Sequence, residues 1–189
     1  MFNSALFDDV PHFASKHLAE RMIDAQTIPA TVLRPAEFMQ TDLMLRDALK
    51  AGVYPQPIGG VGLAMVDTRD IADVAAAELL RRERAPRPLP RTTIELVDPD
   101  TLTGTDVAAI WGSVLRREVH YGGDDLVAYE RQVAGMMPGW QVHDFRVMLR
   151  AMQRFGMVPG NNSRAIFEAL LGHPLRSYRA FAEEAAASW

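Results

Sequence analysis

A chain of 189 residues that is 48% hydrophobic and 23% charged can bury one sizeable core, as a single domain or a domain with an added lobe. Its formal net charge of -4 argues weakly against a general nucleic-acid binder, since phosphate binding needs a basic surface. With no cysteine, disulfides, thiolate metal sites and cysteine nucleophiles are excluded. No apolar run is long enough to span a bilayer and the start of the chain lacks a basic-then-apolar leader, so a cytoplasmic protein without membrane contact is expected.

The first predicted element is a helix over "DDVPHFASKHLAERMIDA", Asp8 to Ala25. Pro11 suits a first helical turn, where its missing N–H costs nothing, and Asp8 and Asp9 favour that terminus. Phe13, Leu18, Met22 and Ile23 mark its apolar side. "ATVLRP" is short, β-branched and stopped by proline, which predicts a buried strand. "EFMQTDLMLRDALKAG" returns to helical spacing and ends at Gly52, and "VYPQPIGGVG" holds too much Pro and Gly for an interior strand. Leu63 to Val66 read as a strand, Asp67 or Thr68 as a cap, and Ile71 to Arg82 as an Ala-rich helix, with Asp67 and Asp70 capping it and pairing with Arg69. "RAPRPLPR" is a solvated connector, "TTIELVD" a strand, "DTLTGTDVAAIWGSVLRR" a capped helix and "EVHY" a short strand. From Asp124 onward the pattern is helical, broken at Pro138, "VPGNN" and Pro174, with Ser177 capping the last helix.

Strands alternating with helices over the first half predict an α/β fold with a parallel sheet, followed by a mainly helical second half. A doubly wound nucleotide-binding sheet opens with a strand and a Gly-rich phosphate turn. No such turn is present, and "GGVG" at Gly59 to Gly62 lacks its spacing. His12 and His17 do not make a zinc motif, no Gly-x-Ser-x-Gly elbow exists, and Asn161–Asn162–Ser163 is a glycosylation acceptor in form only. Met136, Met137, Met148, Met152 and Met157, with Trp140 and Phe155, are the residues of an adaptable apolar pocket or of a helical core.

Taken in order, "PHFASKHLAERMI", "ATVLRPAEFMQ", "GLAMVDTRDIADVAAAEL", "TIELVDPDTLTGTDVAAIWGSVLRREVHY" and "LLGHPLRSYRAFAEEAA" resemble the NmrA-like branch of the atypical short-chain dehydrogenase/reductase superfamily. The resemblance implies the C-terminal part of a Rossmann-like parallel sheet plus a mostly helical substrate-binding lobe. Residues 1–98 would then be the incomplete NAD(P)-binding portion and 99–189 the lobe, with 36–62 contributing to it. The family's glycine-rich first half would precede Met1, so a truncated chain, inactive and weak in dinucleotide binding by itself, is expected.

Residue by residue, the same resemblance implies a site. From the residues alone, Lys16 reads as a solvated helix lysine and His12 as a partly buried polar residue. In active relatives a Tyr stands one turn before the Lys, and here that position is His12, a weak candidate for catalysis because the nearby ammonium opposes a second positive charge. Lys16, Pro35, Ala36 and Phe38 are implied cofactor contacts for NADP or NAD, and Glu37 and Met39 implied substrate contacts; Phe38 and Met39 serve equally well as core. The implied function is a dinucleotide-dependent redox sensor or a reductase of a small carbonyl or quinone. The alternative is a non-enzymatic interaction module, or a split half that completes its sheet with a partner chain or a second copy.

Overall fold

The computed structural model describes residues 10–26, 28–97, 100–158 and 163–189. Asp8, Asp9 and the Asn161–Asn162 pair lie outside them. The chain runs α1 (Pro11–Ala25), β1 (Thr31–Pro35), β2 (Glu37–Phe38), a 3-10 turn (Met39–Leu45), α2 (Arg46–Lys50), β3 (Val53–Tyr54), β4 (Leu63–Val66) and α3 (Thr68–Glu83). It continues through β5 (Thr92–Leu96), β6 (Thr101–Leu102), α4 (Gly104–Leu115), β7 (His120–Tyr121), α5 (Leu126–Val133), α6 (Gly139–Phe155), α7 (Ser163–Leu171) and α8 (Tyr178–Ala187). The result is an α/β fold, and none of its described helices is long and apolar enough to cross a membrane.

Among the described residues the strands form three small sheets. β1 lies parallel to β5, Thr31 opposite Thr92 and Pro35 opposite Leu96. The ladder extends one step further, since Ala36 N donates to Leu96 O at 2.9 Å. At that residue the chain leaves the first sheet, and Glu37 and Phe38 pair parallel with Met65 and Val66 of β4. β4 also takes β6 antiparallel, and β3 pairs parallel with β7. Ala36 is therefore the hinge point between two sheets.

Several expectations need correcting, each for a tertiary reason. α1 begins at Pro11, with Val10 before it, and only part of its apolar side, Phe13 and Ile23, faces inward. Leu18 and Met22 are exposed, while His12, Phe13, His17, Glu20 and Ile23 are half-buried. Ion pairs set this orientation: Arg34 on β1 forks onto Glu20 at 3.0 and 2.5 Å, and Arg91 pairs with Asp24. β1 is half-buried at every position rather than fully buried. The segment from Glu37 starts as strand because its backbone is captured by β4, whereas Val53–Tyr54 pairs only with β7 among the described residues and is no interior strand. Thr101–Leu102 adds a short strand ahead of the capped helix.

Caps behave as their chemistry dictates. Asp67 caps α3, accepting from Arg69 N at 2.9 Å, which starts that helix at Thr68 rather than Ile71. Asp70, however, does not pair with Arg69; it is buried and bonded to the Arg176 side chain and backbone N. Thr103 and Asp106 make a reciprocal capping box on α4, and Ser177 caps α8. Gly104 is required because a Cβ there would sit 2.2 Å from the Tyr121 ring. Gly62 has φ +103 and would meet Thr101 at 2.6 Å.

One apolar cluster runs from β4 and β5 through α4 to α7 and α8, with Met152 and Met157 in it. Met136 and Trp140 are exposed instead. The methionine group is thus split between core and surface.

Candidate functional site

The C-terminal ends of β1 and β5 and the step at Ala36 are the candidate site, because ligands of open parallel sheets bind beyond the strand ends where neighbouring strands part. Ala36 is buried, Pro35 and Glu37 half-buried, and Phe38 is 42% exposed. Met39 has no exposed surface and belongs to the core behind them. Burial pushes the Glu37 carboxyl above the ordinary carboxylate range, while a hydrogen bond with Thr41 and the nearby His12 pull the other way.

His12 stands in the first turn of α1, which packs on α6. Its Nδ1 lies 3.0 Å from Asp144 Oδ2, and its ring meets Phe13 and Phe145 edge-on at 5.2 and 5.8 Å. Lys16 is exposed, and its Nζ donates back to the His12 carbonyl at 3.1 Å. The structure therefore sets His12 within electrostatic reach of Glu37 and leaves Lys16 on the open side of its helix.

Beneath this layer is a buried polar network. Trp111 Nε1 donates to Tyr178 Oη at 2.8 Å, and the Tyr178 hydroxyl donates to Asp42. Asp42 is 4% exposed, and burial raises its pKa to about 7 against the hydrogen bonds from Tyr178 and Tyr54. Both phenols are pushed well up by burial and by the Asp42 charge. Sequence reasoning missed Asp42, Asp144, Tyr54 and Tyr178. Asp144 lies 132 residues from His12 and Tyr178 lies 136 from Asp42, so no local pattern announces either pair.

A metal reading is weak. Asp70, Asp73 and His173 bring ligand atoms within 4.8 Å of one another, but Arg176 already bonds both carboxylates.

The sequence profile of the NmrA-like family matches residues 3–158, most of the chain. The chain belongs to the NmrA-like family. Among curated relatives, it is 27% identical over 165 residues to an NAD(P)H azoreductase of Xenophilus azovorans, covering 84% of this chain and 54% of that protein. Among solved structures, a triphenylmethane reductase of Citrobacter sp. superposes with a TM-score of 0.77 at 20% identity, over 96% of this chain and 62% of that one. An NADPH-dependent quinone oxidoreductase of Escherichia coli superposes with a TM-score of 0.77 at 19% identity, covering 93% of this chain and 62% of that one. This NmrA-like chain thus spans between half and two thirds of the length of these relatives.

The residues that could hold one end of a dinucleotide are the half-buried Pro35, the buried Ala36 beside it, a part-exposed Phe38 and the exposed ammonium of Lys16. The glycine turn that cradles a pyrophosphate is not among the 189 residues.

Proposed function

We propose that the chain is the C-terminal part of an NAD(P)-dependent reductase, supplying the nicotinamide-end wall and a helical substrate lobe. Residues outside these 189 would hold the pyrophosphate. The observation that carries this reading is the step from β1 to β2 at Ala36, which sets Glu37 within electrostatic reach of His12. Bound dinucleotide would supply a hydride. Lys16 would swing from the His12 carbonyl onto the ribose hydroxyls, Pro35, Ala36 and Phe38 would line the cofactor, and Glu37, backed by Met39, would face the substrate. The names of the relatives favour a planar conjugated acceptor, a quinone or an azo compound.

The test uses the full-length protein that contains these residues. NADPH should be consumed with a quinone or azo dye, and Lys16→Ala should weaken dinucleotide binding about tenfold, the contribution of a hydrogen bond from a charged group. Unchanged affinity in Lys16→Ala would remove that residue from the site, and binding without turnover would mark a sensor rather than an enzyme.

One observation favours a second reading, a module that completes its sheet with another chain. β1 pairs only with β5 among the described residues, and Leu18 and Met22 are exposed on the neighbouring helix. Burying each apolar side chain contributes about 1.5–3 kcal/mol. The 189-residue polypeptide alone is expected to elute as a dimer or larger species. Light scattering that gives a monodisperse 21.0 kDa particle would rule this out.

A further inference from the structure

We propose that Asp144 is a positioning residue that holds His12 as the proton donor of the reduction, the two forming an Asp–His pair across α6 and α1. This rests on the reductase reading above.

The geometry is that of an oriented imidazole. Asp144 Oδ2 takes Nδ1 at 3.0 Å, and Phe13 and Phe145 hold the ring edge-on, so it cannot turn freely. Nε2 has no hydrogen-bond partner among the described residues, and 30% of the side chain is open to solvent. Asp144 is the more enclosed partner, its side chain 18% exposed. Its Oδ1 is shielded from solvent and accepts no hydrogen bond among the described residues. A half-satisfied, enclosed carboxylate is costly unless a positive charge stands beside it. His12 is the group beside it that can carry that charge. Among the described residues, Glu37 on β2 interacts electrostatically with the ring, and the Lys16 ammonium on its own helix is turned onto the His12 carbonyl.

In the reduction, His12 acts at the heteroatom of the acceptor. As a hydride from the reduced nicotinamide forms a bond at the acceptor and breaks its π bond, the Nε2–H bond breaks and the proton joins the oxygen or nitrogen. The acceptor gains two electrons and two hydrogens, the dinucleotide is oxidised by two electrons, and the neutral imidazole regains a proton from water at its exposed edge. Asp144 keeps the Nδ1–H throughout, so that Nε2 is the atom presented.

Two measurements test this. Long-range proton–nitrogen NMR of the unmutated protein should show neutral His12 as the Nδ1–H tautomer, whereas Asp144→Asn should return it to the Nε2–H form that free imidazole prefers. In the full-length protein with NADPH and a quinone, His12→Gln should abolish the alkaline limb of the kcat/KM profile. Asp144→Asn should lower kcat on that profile about tenfold with little change in KM, and Asp144→Glu should restore part of it. A purely structural strut would leave the profile in place. An Nε2–H tautomer in the unmutated protein, or His12→Gln with an unchanged profile in an active enzyme, overturns the pair and spares the reductase reading. No turnover by the unmutated full-length protein overturns both.

Discussion

Trp111→Ala should cost about 3–5 kcal/mol of stability, the range for emptying a large aromatic site. Trp111 is completely buried on α4. Its ring stacks on Trp189 at 4.8 Å and 7°, and meets Tyr178 and Phe181 edge-on at 6.5 and 6.4 Å. Its Nε1–H satisfies the Tyr178 oxygen at 2.8 Å, so removal takes away a donor as well as volume. Against a total of roughly 5–15 kcal/mol for a domain, the loss is most of the margin. Trp111→Phe, which keeps much of the volume, should lose less. Urea unfolding monitored by far-UV circular dichroism checks both variants. A loss under about 1 kcal/mol for the alanine variant would show that α8 is not docked on α4 in solution.

Asp42→Asn should make the protein more stable at pH 8 and remove much of its gain on mild acidification. Burial raises the Asp42 pKa to about 7, with Glu37 adding to the effect and the phenols of Tyr178 and Tyr54 opposing it. An unfolded Asp titrates near 3.9. Because the folded value is the higher, its stabilising contribution is fully present below about pH 4 and is lost as pH rises through about 7. The span corresponds to roughly 4 kcal/mol at about 1.4 kcal/mol per unit. Asn keeps an acceptor for the Tyr178 hydroxyl and carries no charge to bury. The measurement is the stability difference between variant and unmutated protein at pH 5 and pH 8, which cancels the other titrating groups. A difference that does not change with pH would mean that Asp42 ionises in the fold at little cost.

The two predictions involve the same tyrosine, since Tyr178 links Trp111 to Asp42. Neighbouring substitutions in one network do not add. The double variant Trp111→Ala/Asp42→Asn therefore reads the coupling between the aromatic cluster and the buried acid directly.

What was legible in the sequence is what local chemistry controls. The strands at Thr31–Pro35, Leu63–Val66 and Thr92–Leu96 follow from short β-branched or apolar runs ended by Pro or Asp. Asp67, Thr103 and Ser177 announce helix starts because a short oxygen-bearing side chain is the natural acceptor for orphan amides. Family membership is likewise a property of ordered segments, and the profile match over residues 3–158 spans the first four of the five.

Tertiary structure decided the rest. The helix from Pro11 has an apolar stripe through Leu18 and Met22, yet it turns Glu20 and His12 inward, because Arg34 and Asp144 wait there with complementary groups. Glu37 and Phe38 carry helical spacing but become strand, since β4 offers unpaired backbone that a helix start could not satisfy. Asp70 stands beside Arg69 in sequence and pairs with Arg176 in space. Short-range periodicity encodes which residues prefer helix, strand or cap. Which charges are desolvated together, and hence which His has an Asp behind it, depends on contacts made across more than a hundred residues.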